Sequence, residues 1–231
     1  YCKPRKLERL NPPNKMKLFN PTTWRSTILI WLLVSCDENA GPNLVRNPEV
    51  SAIQSTNSEN IFSPIVRAAR SQIGKTTSYD PSYVGLSYPG GDVPLEKGVC
   101  TDVVIRALRG AVNLDLQKLV HEDMKIEFSA YPNIWGLKKP DPNIDHRRVP
   151  NLKTYFNRCG FSLPVTRRAD DYLAGGLVTW TGGRNLAHIM VVSDKKTSDG
   201  VPFVIHNIGS GTKEEDRLFE FPITGHYRVT E

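Results

Sequence analysis

The sequence of 231 residues holds four cysteines and five histidines, the side chains best suited to nucleophilic or proton-transfer chemistry. Cys2 precedes the first methionine, Met16, and Cys36 ends an apolar run, which leaves Cys100 and Cys159 for a folded domain. Cys100 stands where the loop YDPSYVGLSYPGGDVP gives way to VCTDVVIRALRG, whose apolar residues recur at helical spacing. A thiol at a helix start faces the positive end of the helix dipole, which lowers its pKa from about 8.5 and favours the attacking thiolate. Such a nucleophile needs a base, and the candidates are His121, His146, His188, His206 and His226. His188 opens an apolar strand after TGGRNLA, where an imidazole would stand at the rim of a sheet. His206 lies in the following strand, FVIHNI, where it could orient the first ring. Residue type and position leave three outcomes open: a catalytic thiol, a Cys100–Cys159 disulfide in an oxidising compartment, or two inert buried thiols. The histidines, taken alone, read as structural. No Cys-x-x-Cys or His-x-x-x-His pair supports a zinc site, so neither a metal nor another cofactor is expected.

A second polar group is NIDHRRVPN, which brings together Asp145, His146, Arg147 and Arg148. The two arginines suit bidentate binding of a substrate carboxylate; they equally suit an internal ion pair with Asp145. Asp102, two residues after Cys100, suits a charge-stabilised helix cap and stands with these four among the candidate substrate-binding residues. Gly209-Ser210-Gly211 follows a strand with no helix pattern after it, so it reads as a hairpin turn rather than a phosphate loop.

These residues need elements to hold them. Ser63-Pro64 followed by IVRAARSQIG predicts a helix with Ser63 as its cap. VCTDVVIRALRG predicts a second, stopped by Gly110, and residues 114–128 a third. Residues 131–148 read as loop, and Pro150 opens a short helix ended by Gly160. LVTW, HIMVVS, FVIHNI and HYRV are short strands separated by turn residues. Helices first and strands later predict an α+β fold with an antiparallel sheet.

The formal charge is +6. Residues 1–35 hold seven basic residues (Lys3, Arg5, Lys6, Arg9, Lys15, Lys17, Arg25) and one acid (Glu8), leaving 23 basic and 23 acidic residues elsewhere. The folded part has no cationic excess, so nucleic acid is excluded as the expected partner. The run Ile28 to Val34 is far short of the roughly 20 residues that span a bilayer, and it fits the apolar core of a secretory signal. It ends in Leu33-Val34-Ser35-Cys36, which resembles the lipobox of bacterial lipoproteins, in which the cysteine thiol is lipidated. Asp37 resembles the residue that keeps such proteins in the inner membrane. The expected organisation is upstream sequence over 1–15, a lipoprotein signal over 16–35, a polar flexible tether over 36–59, and one domain over 60–231. The expected location is the bacterial cell envelope, on the inner membrane facing the periplasm.

The stretches GVCTDVVIRALR, DLQKLVHEDM, NIDHRRVPNL, AHIMVVSD, VIHNIGSGTKEEDRLF and ITGHYR resemble the YijF-like family, domain of unknown function 1287. That family looks like a distant branch of the papain-like superfamily that includes the NlpC-type cell-wall peptidases. The resemblance implies a papain-like α+β fold, with a cysteine-bearing helix packed on an antiparallel sheet. It implies Cys100 as nucleophile, His188 as base and His206 as the residue that orients it, with Asn207 as the alternative for that last role. His206 and Asn207 are adjacent in a strand and point to opposite faces, so only one of them faces His188. The family carries Gly-Asp before its first strand, where this chain has Gly175-Gly176. The activity implied is thiol hydrolysis of an amide or related acyl bond, with peptidoglycan peptides as substrate and the membrane as partner through the lipid. The rival expectation is a non-catalytic envelope module that binds a wall fragment or a protein.

Overall fold

The computed structural model describes residues 64–229. The leader, the lipobox at Cys36, the tether and the Ser63 cap lie outside the described residues. Among the described residues no helix is long and apolar enough to cross a membrane.

The described chain opens in helix α1 (residues 64–70), whose Ile65, Val66 and Ala69 are buried. A long loop follows, carrying the two short parallel strands β1 (Ser78–Tyr79) and β2 (Lys97–Gly98). Helix α2 (Cys100–Val112) starts directly after it. Its Val103, Val104, Ala107 and Leu108 are inaccessible to solvent, and each such burial is worth roughly 1.5–3 kcal/mol for a large aliphatic side chain. Gly110 does not stop this helix. The chain runs on to Asn113, which takes a left-handed conformation (φ 54°) and returns its N–H to the Leu108 carbonyl. A helical glycine only weakens a helix by about 1 kcal/mol against alanine, whereas a left-handed residue ends it. Helix α3 (Leu116–Ile126) is capped by the Asp115 carboxylate, which accepts from the Gln117 N–H. The expected loop over 131–148 contains one ordered turn, the 3-10 segment Asp145–Arg147, which leads into α4 (Val149–Arg158) with Pro150 in its first turn.

The last third forms a six-stranded antiparallel sheet in the order β3-β8-β4-β5-β6-β7. Its strands are β3 (Ser162–Leu163), β4 (Leu177–Thr181), β5 (Ala187–Lys196), β6 (Pro202–Asn207), β7 (Thr212–Glu215) and β8 (Ile223–Tyr227). The helices lie on one face, where Leu177, Ile189, Val191, Ile205 and Tyr227 join the main core. On the other face, Tyr172, Val178, Trp180, Met190, Val192, Val204 and Leu218 form a second, smaller core. Burial on both faces explains why β4, β5 and β6 read as unbroken apolar runs rather than as alternation. The fold is α+β, with N-terminal helices packed on a C-terminal antiparallel sheet.

Candidate active site

Cys100 is the first residue of α2. The residue before it, Val99, has no side chain able to cap the helix, so the first-turn N–H groups look elsewhere for acceptors. Asp102 reaches back to the Val99 N–H at 2.7 Å. The backbone N–H groups of Ile189, Thr101 and Cys100 act to lower the pKa of the Cys100 thiol. Strands β5 and β6 are bridged at Val191–Ile205 and Val192–Val204, and Ile189 lies just beyond those bridges in the same core as Cys100. Burial nevertheless pushes the thiol pKa up to about 11, against the lowering effect of the N–H donors; Asp102 adds to the rise. Cys100 and Cys159 are not joined in a disulfide.

The two histidines are brought together. His188 Nε2 and His206 Nδ1 are 2.8 Å apart, and His206 Nε2 stands 3.2 Å from the Glu215 carboxylate. Arg217 Nε holds the same carboxylate oxygen at 3.2 Å. A carboxylate only accepts, so the proton between these partners sits on His206 Nε2. His206 Nδ1 is then the acceptor, His188 Nε2 carries the second proton, and His188 Nδ1 is left with its lone pair. Glu215 was not legible as a site residue, although strand register could have found it. The β6–β7 hairpin pairs His206 with Lys213 and Val204 with Glu215, so residue 215 is a diagonal neighbour of His206 on the same face. Burial holds both imidazoles neutral, His188 down to about 3 and His206 to about 4.

The thiol and the histidine pair stand on opposite faces of the sheet. Cys100 packs with Ile189, Val191 and Ile205 on the helix face, and neither His188 nor His206 lines the cleft beside it. The expected Cys100–His188–His206 triad is therefore not assembled: successive residues of β5 alternate in face, and Ile189 takes the one toward Cys100. The His188 ring shares its strand face with Met190 and Val192, and stacks on Trp180 at 4.6 Å between centroids. The expected thiol–imidazole hydrogen bond is not formed in this arrangement: His188 Nδ1 carries none among the described residues. Asn207 points to the other face. Its Nδ2 donates to the Gly98 and Ser78 carbonyls at 2.9 and 3.2 Å, which ties β6 to the segment just ahead of Cys100.

The adjacent arginines have different environments. Arg147 is buried and commits four of its five N–H donors: Nε and Nη2 bind both oxygens of Asp102 at 2.9 and 3.0 Å, and Nη1 and Nη2 also bind the Ser82 and Asp80 carbonyls. The Thr101 hydroxyl donates to the Arg147 carbonyl at 3.0 Å, which fastens the start of α2 to the same turn. Asp102 and Arg147 thus hold the helix start. Asp145 is buried, accepting from the Asp141 N–H and, at 3.3 Å, from Arg148 Nη1. His146 is buried, with its pKa pushed down to about 4 by burial, and lines neither cavity described below.

Cys100 lies on the wall of a cleft of about 360 Å³ that also meets Tyr79, Trp135, Arg147, Arg148, Asn185 and Leu186. No carboxylate lines it. Its rim is apolar and open, with Ile134 66 % and Leu186 67 % exposed. A second cavity of about 450 Å³, lined by Phe128, Tyr131, Asp145 and Asn151, shares Trp135 and Arg148 with the first. A Cβ at Gly176 would stand 3.8 Å from His226 Nε2. Residue 176 precedes Leu177, which pairs with Val191, so this departure from the family lies away from the thiol end of the sheet.

A protein of Escherichia coli (strain K12), Uncharacterized protein YijF, is 52 % identical over 203 residues, covering 88 % of this chain and 97 % of its own. The structure of NlpC1 from Trichomonas vaginalis is similar over 72 % of this chain and 45 % of that one, at 15 % identity and a TM-score of 0.37. The model of DUF1287, a domain of unknown function, matches residues 66–229. The chain belongs to the DUF1287 family.

Proposed function

We propose that this protein is a thiol hydrolase of the cell envelope that cleaves an amide or related acyl bond. One observation carries the reading: Cys100 opens α2, whose start has no side-chain cap, on the wall of an open cleft. The N–H groups of that first turn stabilise negative sulfur, and the N–H of Cys100 can help hold an oxyanion. The sulfur attacks the acyl carbon as its proton passes to water in the open cleft; the C–S bond forms, the tetrahedral oxyanion collapses, and the leaving amine takes a proton from that water as it departs. A second water then hydrolyses the thioester, returning the thiol and releasing the acid. His188, His206 and Glu215 stand on the opposite face of the sheet, so the base that the family resemblance implies is not beside the sulfur. Peptidoglycan peptides are the substrate we favour, supported by the family resemblance and by the leader.

A second reading has its own observation. A thiol pushed up to about 11 and not bonded to the imidazole suits a cleft that binds without cleaving. An electrophilic thiol probe separates the two readings. A catalytic Cys100 should be labelled faster than Cys159 at neutral pH, and a binding cleft should leave Cys100 the slower.

We also propose that Cys36 carries the lipid, that residues 36–59 tether the domain, and that the anchor holds it on the inner membrane facing the periplasm. The order of charge, apolar run, small residue and cysteine supports this. Cys36→Ala should accumulate an unprocessed or soluble form on cell fractionation. Membrane association and processing equal to the parent's would refute the anchor.

A further inference from the structure

We infer that Arg148 is the carboxylate receptor of the thiol cleft, so that the substrate carries a free carboxylate close to the bond attacked. The inference rests on the thiol reading and narrows its substrate class. Arg147 shows what a structural arginine looks like here: its guanidinium is buried and divided between one carboxylate and two carbonyls. Arg148, one residue on, is left largely uncommitted. Its one hydrogen bond among the described residues runs from Nη1 to Asp145 at 3.3 Å, the long end of the range for a charged pair. The Nε and Nη2 edge, the fork that grips a carboxylate with two parallel bonds, has no partner in the described structure.

The surroundings prepare that fork. The guanidinium carbon lies 4.0 Å from the centre of the Trp135 ring, so the indole covers one face of the cation and orients its plane. Partial burial lowers the Arg148 pKa, while Asp145 and Asp141 raise it. Both Arg148 and Trp135 line the cleft that holds Cys100, and no acidic side chain lines that cleft to compete for the arginine. Tyr79, Ile134 and Leu186 supply apolar contact around it. Arg147 also lines the cleft but is bound through Nε and Nη2 to Asp102, so Arg148 beside an apolar rim is what selects an anion attached to an apolar body.

Iodoacetate and iodoacetamide test this, because they alkylate a thiol by the same displacement and differ in one carboxylate. Their second-order rates at Cys100 of the full chain, read by mass spectrometry, give a ratio to compare with that at glutathione. The ratio should favour iodoacetate at Cys100 and fall about tenfold in Arg148→Gln, as expected for loss of a charge-assisted contact. Arg148→Lys, which restores the charge, should recover the preference. A ratio unmoved by Arg148→Gln, with both reagents still reacting, overturns the carboxylate assignment and leaves the thiol reading standing. Silence of Cys100 toward both reagents overturns the thiol reading and this inference with it.

Discussion

Arg147→Met should cost about 3–5 kcal/mol of unfolding free energy, the range for removing one partner of a buried ion pair. The side chains of Arg147 and Asp102 are 2 % and 3 % exposed, so neither charge is repaid by water when its partner goes. Arg147 also satisfies the carbonyls of Ser82 and Asp80, which would be left without that donor. What remains for the Asp102 carboxylate is the Val99 N–H, too little to hold a buried anion. The double variant Asp102→Asn/Arg147→Met should be less destabilised than the sum of the singles, because it removes the orphaned charge. Urea unfolding with an unchanged m-value is the measurement. A loss below about 1 kcal/mol would show that this pair contributes no more than a surface ion pair.

Alkylation of Cys100 should climb about tenfold per pH unit from neutrality up to its thiol pKa of about 11, the behaviour of a thiolate formed without a neighbouring base. The His188 ring lies on the opposite face of the sheet, stacked on Trp180 and joined to His206. His188→Ala should therefore leave that profile in place and act on stability instead, costing about 1–3 kcal/mol for the buried His206 Nδ1 it leaves unpaired. Mass-spectrometric rates over a pH series, with urea unfolding alongside, are the measurement. A plateau of labelling between about pH 3 and pH 7 that His188→Ala abolishes would put the imidazole back beside the sulfur.

Much of the fold was legible because it is written in short-range terms. The helical spacing of Val103, Val104, Ala107 and Leu108 needs one turn of chain to be read, as does the end of α4 at Gly160 (φ 76°). The apolar runs of β4, β5 and β6 likewise announce themselves locally. Short-range reading erred where a local signal was weak. It stopped α2 at Gly110, though a helical glycine is only a mild penalty, and it took residues 145–147 for plain loop, though a turn buries all three. Strand β7 was missed because TKEE carries no apolar signal; it is held at the sheet edge by pairing with β6.

The site divides along the same line. The sequence by itself determined which residues could do chemistry: a cysteine at a helix start, a histidine opening a strand, and another on the next strand. It also determined the family, because long ordered motifs carry that information whatever their contacts. Only the tertiary structure decided which neighbour does what. Arg147 and Arg148 are chemically alike in sequence and both line the thiol cleft, yet one is committed to Asp102, 45 residues away, and the other keeps its Nε and Nη2 edge open. His206 and Asn207 are separated by strand alternation, and the packing of β6 against β5 on one side and the Gly98 carbonyl on the other chose between them. Glu215 entered only through hairpin register. Each of these choices depends on closing a loop and burying a polar group where one partner can satisfy it. The free energy of that choice resides in contacts between distant segments, which no local spacing encodes.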